Sequence, residues 1–435
     1  MPSLRSLAAS ALALTAALSA PPAVHADVAG LDAGSRRPVA AAPAERVPRA
    51  AQAAETTRPR WKRRIDRLVA GRAVGVSVLA AGVTLYERGA KKRRVPASNQ
   101  KLIAAMALLE RFDRTERLPT ILSGPAPLNG VVTGDVWILG RGDPTVTSGG
   151  AFARSLPFEP TRIRALARSL VDAGVTRISG SIMGSTGYFG RDWWAPGWKD
   201  YYPSLYIALP SALTFNGNRS GGEHVSDPER RAAAALTKRL RKVGVEVTGT
   251  AGSGEPPDGL VEIARVGSPS METLLRYMSR SSSNFFAEVL GKRLGVAAAG
   301  APGTIAKGAG ALRDYAVARN VSVDAHDSSG LSYANRVSAR GLARLLDDAD
   351  EQTWSAVLRR ILPTGGQGTL ERRLHGVRVR AKTGTLIGHS ALSGYVWAER
   401  RDEWVPFAII SSGMDKSKAA AIEDRIVRIL EQRSR

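Results

Sequence analysis

The chain has no cysteine. That excludes disulfide staples, thiol nucleophiles and cysteine-ligated zinc together, so packing alone must hold 435 residues in place. Also missing is any apolar run of the roughly 20 residues needed to cross a bilayer. The stretch Leu7 to Ala20 is shorter and follows a basic Arg5, and Val24, His25 and Ala26 close it with a small final residue. Residues 1–26 therefore read as a signal peptide cleaved before Asp27, which predicts an exported chain of the periplasm or cell-wall space. Acid is scarce: 39 Asp+Glu face 62 Lys+Arg, for a net charge of +23. Such a field attracts polyanions of any kind. No basic helix or basic-aromatic motif of the kind that reads nucleic acid is visible, so no nucleic acid partner is expected. An anionic wall or membrane surface and peptide carboxylates remain, beside a merely solubilising role. There is no Gly-x-Ser-x-Gly elbow, and the five histidines form no His-Glu-x-x-His site, which sets aside a Ser-His-Asp hydrolase and a zinc hydrolase. No cofactor is expected.

From Asp27 to Arg60 the chain is rich in Ala, Pro and Arg without apolar periodicity, which predicts a disordered linker over 27–60. Order is expected from Trp61, with strands over Val74–Leu79 and Val83–Glu87 hinged at Ala81-Gly82. A helix starting at Ser98 carries Leu102, Ala105, Met106 and Leu109 at three- and four-residue spacing, so it should bury one face. The middle third reads differently, as a strand Gly134–Leu139, a helix Arg162–Ala173 and a strand Arg177–Met183, hence as an inserted α/β domain over 119–265. Its aromatic cluster, Tyr188, Phe189, Trp193, Trp194, Trp198, Tyr201, Tyr202 and Tyr206, suits either core packing or stacking on sugar rings. Helical spacing returns over Ser270–Tyr277 and after Asn284, which puts Ser281–Asn284 on a tight helix-helix connection. Strands Ala391–Ala398 and Val405–Ser411 form a hairpin, and Ile422, Ile426 and Leu430 mark a last helix against it. The two hairpins can share one antiparallel sheet with the Ser98 helix packed on it, giving an α+β domain over 61–118 and 266–435.

Three clusters carry chemistry. Ser98-Asn99-Gln100-Lys101 puts a hydroxyl and an amine one helical turn apart, so that a neutral lysine can deprotonate the serine beside the positive helix N-terminus. Ser282-Ser283-Asn284 offers a hydroxyl and an amide two positions apart, suited to relaying a proton and gripping a carbonyl. Lys382-Thr383-Gly384-Thr385 supplies a cation, two hydroxyls and a glycine that lets backbone approach closely, as a carboxylate site requires. Singly, each is more often an N-cap or a turn. Their order and settings together are specific.

The same stretches resemble the low-molecular-mass class C penicillin-binding proteins, the D-Ala-D-Ala carboxypeptidase/endopeptidase (S13 peptidase) family. The likeness runs from about Ala73 to the C-terminus and also rests on Gly142-Asp143-Pro144-Thr145, Pro196-Gly197-Trp198, Phe285-Phe286-Ala287-Glu288, Ser329-Gly330-Leu331-Ser332 and Asn335-Arg336-Val337-Ser338. It implies a β-lactamase-like transpeptidase domain interrupted by an insert. It further implies Ser98 as nucleophile, Lys101 as base, Ser282 as proton relay, Asn284 as substrate clamp, and Lys382, Thr383, Gly384 and Thr385 as the carboxylate site, with backbone N–H groups of Ser98 and Thr385 as oxyanion hole. Peptidoglycan stem peptides are the implied substrates and β-lactams the implied covalent inhibitors.

Three departures qualify the likeness. Between Asn216–Asn218 and Asp227-Pro228 only a short loop remains, so the family's third subdomain is expected to be absent. Ser185 stands where relatives tend to carry an acid that meets a substrate amine. Ser283 and Ser328 replace an Asp or Asn and a Gly. Alternative readings are a β-lactamase, which shares the motifs and differs in fast deacylation, and an inactive peptidoglycan-binding protein, whose decay should have eroded Ser98, Lys101 or Lys382.

Overall fold

The computed structural model describes residues 58–399 and 402–432, so the expected signal peptide and all but the last three residues of the expected linker lie outside the described residues. Helix α1 (Arg60–Val69) opens the described chain. It was not foreseen: its apolar residues Trp61, Ile65, Leu68 and Val69 make a narrow stripe among five basic side chains. Strands β1 (Val74–Ala80) and β2 (Val83–Arg88) follow, turning at Ala81 and Gly82 with φ of 46° and 77°. Two successive left-handed residues make the tight turn whose twist suits a hairpin.

After a single 3₁₀ turn at Ala97–Asn99, α2 spans Gln100–Arg111. The periodicity predicted one buried face; instead every residue from Gln100 to Leu109 is buried, because sheet and helices enclose α2 on all sides. Ala104, Ala105 and Ala107 make that close approach possible. Each enclosed Leu, Ile or Met contributes about 1.5–3 kcal/mol by burial.

The middle of the chain builds a second, mixed sheet from β3 (Arg117–Gly124), β4 (Val136–Gly140), β5 (Ile182–Ser185), β6 (Gly252–Gly254) and β7 (Val261–Ser270), in the order β6-β5-β4-β3-β7. Helices Ile163–Asp172 and Pro228–Lys242 pack over it. The strand expected at Arg177–Met183 is two strands: Arg177–Ile178 pairs with Glu246–Val247 and Val131–Val132 in a separate parallel sheet, and β5 joins the larger one. The break falls at Gly180, where a Cβ would lie 2.4 Å from the Gly134 backbone, and where Ser181 N donates to Asp135 Oδ1 at 2.7 Å. Between Asn218 and Asp227 the chain makes a hairpin of two-residue strands, and Asp227 then caps the next helix by accepting from Arg230 N at 3.0 Å. The expected insert boundaries at 118/119 and 265/266 fall inside β3 and β7, which pair with one another.

Strand β7 runs into α3 (Met271–Arg280), with Ser270 as its N-cap, and only three residues separate α3 from α4 (Asn284–Ala299). Helices α5 (Ile305–Val317) and α6 (Ala339–Asp350) complete the layer around α2. The chain closes with β8 (Val379–Leu386), β9 (His389–Ala398), β10 (Glu403–Ser412) and α7 (Lys416–Gln432). β10 pairs antiparallel with β1 through Val74↔Ser411 to Val78↔Phe407, joining the two hairpins into one sheet of order β8-β9-β10-β1-β2. Alternation sets its faces: Ala408 and Ile410 join the α2 side, while Phe407 and Ile409 join the side covered by α1 and α7.

Candidate active site

Between Arg94 and Leu109 every residue is buried except Ser98. Ser98 lies in the 3₁₀ turn rather than at the first α-helical position, and the residue before it, Ala97, holds φ at 48°. That left-handed alanine costs about 1–2 kcal/mol and turns the serine out of the core. Two glycines from distant segments let the surroundings close on it. A Cβ on Gly330 would lie 2.0 Å from Ala97 O, and one on Gly384 2.6 Å from Pro96 O. Asn99 Nδ2 donates to Ser393 Oγ on β9 at 2.8 Å, fixing the turn against the sheet.

Lys101 is fully enclosed, and its Nζ donates to Ser98 Oγ at 3.1 Å, to Asn284 Oδ1 at 2.9 Å and to the Ser329 carbonyl. Three acceptors match the three N–H of an ammonium. Burial holds the group down to about 8, against the opposing pull of Asp327 and Glu288. Once Nζ loses a proton, it keeps Asn284 and Ser329 as acceptors and offers its lone pair to the Ser98 hydroxyl, so this contact can carry a proton from Oγ to Nζ. The Ser329 carbonyl is itself held. Glu288, one turn after Asn284 on α4, accepts from Ser328 N at 3.0 Å and Ser329 N at 2.6 Å. Asp327 beside them accepts from Gly330 N, Ser332 N, Asn335 Nδ2 and Trp198 Nε1 at 2.7–2.9 Å. Glu288 is pushed up to about 8 by burial and then by Asp327.

Glu288→Ala should thus lower penicillin acylation about tenfold to a hundredfold, by freeing two buried N–H groups and the carbonyl that holds Lys101. Glu288→Gln keeps an acceptor and should recover most of that rate. Because it removes the carboxylate that forms as Glu288 ionises at about 8 and then raises Lys101, it should also move the upper part of the pH profile to lower pH. Equal losses in the two variants would show that the carboxylate charge, and not the acceptor for Ser328 and Ser329, is what Glu288 contributes.

Ser282 ends the α3–α4 connection with φ at 57°, while Ser283 caps α4 by accepting from Phe286 N at 3.3 Å. A serine serves that cap as well as Asp or Asn does. The strained Ser282 aims its Oγ at Lys382 Nζ, which donates to it at 2.8 Å and to Thr383 O at 2.8 Å. Lys382 to Thr385, which taken singly would pass for a turn, lie inside β8; the strand runs on to Leu386 and pairs with β9 throughout. Burial, then the cations of Lys101 and Lys416, push Lys382 well below the ordinary lysine range. An anion in front of it would relieve both costs.

Ser98, Ser282, Asn284, Thr383 and Thr385 line one cleft of about 640 Å³. Lys101 and Lys382 reach it through their hydrogen bonds, and Gly384 lies beneath, against Pro96 and Ala97. The cleft also takes residues that sequence reasoning missed. Arg373 and Lys416 stand at one end; Arg373 pairs with Glu423 at 2.8 Å and Asp424 at 2.7 Å, and Lys416 donates to Gly384 O at 3.1 Å. Nothing local in the sequence marks them, since their place depends on α7 packing on β9 and on the ion pairs that tie Arg373 to α7. The aromatic cluster divides. Tyr201 and Tyr206 are exposed on the cleft wall, whereas Phe189, Trp198 and Tyr202 are buried. Ser185 is buried at the end of β5, where its Oγ accepts from Gly140 N at 3.4 Å, away from the cleft. Among the described residues no His/Cys/Asp/Glu group could hold a metal ion, and no helix is long and apolar enough to cross a membrane.

A profile of the D-Ala-D-Ala carboxypeptidase 3 (S13) family matches residues 62–223 and 219–433. The chain belongs to that family. A D-alanyl-D-alanine carboxypeptidase from an Actinomadura species is 26% identical over 84% of this chain and 82% of its own length. Carboxypeptidase DacB of Mycolicibacterium smegmatis is 29% identical over 79% of this chain and 76% of its own length. In fold, the chain matches penicillin binding protein 4 of Haemophilus influenzae with a TM-score of 0.71 at 19% identity, covering 84% of this chain and 99% of that one. The S13 fold expected from the motifs, a mixed α/β penicillin-binding domain, is the one observed.

Proposed function

We propose that this S13 member is a serine-type D-Ala-D-Ala carboxypeptidase of peptidoglycan stem peptides, working through an acyl-enzyme on Ser98. The observation that carries the reading is the contact of a buried, easily deprotonated Lys101 with the only unburied residue of its helix entry. Ser98 Oγ attacks the carbonyl of the penultimate D-Ala and passes its proton to Lys101 Nζ, while backbone N–H groups of Ser98 and Thr385 receive the oxyanion. The peptide bond then breaks, and the departing D-Ala amine takes a proton delivered through Ser282. Water attacks the ester, which frees the shortened peptide and restores the hydroxyl. Asn284 clamps the substrate amide. When the leaving amine belongs to a cross-linked neighbouring strand, the same steps amount to endopeptidase cleavage. A β-lactam enters as a cyclic amide whose amine stays tethered, so its ester at Ser98 persists and inhibits.

Lys382, with Thr383 and Thr385 on the β8 edge, would hold the terminal carboxylate. Lys382 Nζ has two acceptors within the protein, which leaves one N–H for a ligand. Lys382→Ala or Thr383→Ala should lower kcat/KM on a free D-Ala-D-Ala peptide about tenfold to a hundredfold, the usual worth of a charge-assisted hydrogen bond. Amidating the peptide terminus should do the same in wild type and leave little for Lys382→Ala to remove. Equal cleavage of free and amidated peptides by wild type would end the carboxypeptidase reading.

Export belongs to the same proposal, since the substrate lies outside the cytoplasm: residues 1–26 as signal peptide, 27–60 as linker, and 119–265 as an insert without the family's third subdomain. Covalent labelling by a fluorescent penicillin, followed by peptide mapping, tests nucleophile and reaction class in one measurement.

A further inference from the structure

Helices α1 and α7 lie side by side on the sheet face turned away from α2. Between them runs a groove of about 440 Å³, with Arg64 and Arg67 on the α1 side, Arg425 and Arg428 on the α7 side, and Leu68 and Ile429 as its apolar part. Each arginine pair is three residues apart, so both members face the same way. All four are exposed. The acids of the two helices are committed elsewhere: Asp66 pairs with Arg58 and Arg88, and Glu423 and Asp424 pair with Arg373. Glu431 is buried and does not line the groove. Arg64 donates to Gln432 Oε1 at 3.4 Å, a neutral partner. Four guanidinium groups thus converge on one concavity, and no carboxylate is among the described residues that line it.

We infer that this groove binds a phosphodiester anion. Guanidinium forks bind oxyanions through paired N–H groups, which the point charge of an ammonium does not, and several forks facing one concavity suit the clustered oxygens of phosphate. Charge on both walls calls for more than one phosphate, and Leu68 and Ile429 suit the carbon linker between them. A polymer and a row of lipid headgroups present this same chemistry. Mutual repulsion of the four arginines makes the empty groove unfavourable, so ligand should also raise the unfolding temperature.

The test uses the mature chain with two probes: a soluble glycerol-phosphate oligomer, and vesicles of phosphatidylglycerol in phosphatidylcholine compared with phosphatidylcholine alone. Binding of the oligomer is expected if the source is a free polymer, and binding of the anionic vesicles alone if it is a membrane. Either should weaken at least about tenfold in Arg425→Gln/Arg428→Gln and in Arg64→Gln/Arg67→Gln. Penicillin labelling of both variants should match wild type, which shows that they are folded. Lys238→Gln/Lys242→Gln, which removes the same charge from two exposed positions on a helix of the middle region, should bind as wild type does. The inference is overturned if neither probe binds, if the lysine variant loses as much as the arginine variants, or if polyglutamate of equal charge binds as tightly as the oligomer.

Discussion

Ser98→Ala removes covalent penicillin labelling and D-Ala release together, with a loss on the order of 10⁶-fold, as for the deletion of a nucleophile in other serine hydrolases. The fold should survive, for a stated reason. Lys101 keeps two of its three acceptors, Asn284 Oδ1 and the Ser329 carbonyl, so the buried ammonium is not stranded when the hydroxyl goes. Asn99 still ties the turn to β9, and the two glycines still press on Ala97 and Pro96. The variant should therefore unfold within about 1 kcal/mol of wild type. Peptide mapping checks the chemistry and a denaturant melt checks the fold. A label recovered on another serine removes Ser98 from the mechanism, and a collapsed melt makes the lost activity uninformative until Ser98→Gly, which also lacks the hydroxyl, is measured.

Ser98 and Lys101 could be found from sequence because one helical turn fixes their spacing, and a local rule needs no tertiary contact. The same holds for Ser282 and Asn284, two positions apart at a helix entry. That these segments converge was not legible from spacing alone. It depends on β1 pairing with β10, a contact between the two ends of the domain, which hydrophobic alternation permits but does not dictate. The position of Lys382 shows the limit in miniature. Thr-Gly-Thr looks like a turn, and only the nearness of Pro96 explains why a glycine sits within a paired strand.

The basic helix α1 was missed for a different reason. Its apolar stripe is a single narrow line among arginines, so composition resembles a linker until α7 supplies the surface that Ile65 and Val69 bury against. Arg373 and Lys416 were equally hidden. Their acidic or backbone partners lie on other elements, and single-sequence reading sees neither. Glu288 was visible as part of a matching stretch, yet its grip on the Ser328 and Ser329 amides follows from burial, which a polar residue on a helix does not announce.

Lys101→Arg should lower acylation on the order of 10²–10⁴-fold although the positive charge is kept. The wild-type lysine sits at about 8 because burial penalises the ammonium. At pH 7 roughly a tenth of it is neutral and able to take the Ser98 proton. Guanidinium does not lose its proton in this range, so the arginine variant has a donor facing Ser98 Oγ and no base. The sign of the pH dependence follows from the same group. A lysine must be deprotonated to act, so wild-type acylation rises as pH increases through about 8 and levels off above it. In Lys101→Arg that limb should vanish, leaving a low rate that is flat between pH 6 and 9 as a rough working range. Stopped-flow acylation by a chromogenic cephalosporin across that range measures both. Should the arginine variant acylate at a near-normal rate, or keep the wild-type rise with pH, the base is another group, and the buried Lys382 beside Ser282 becomes the one to test.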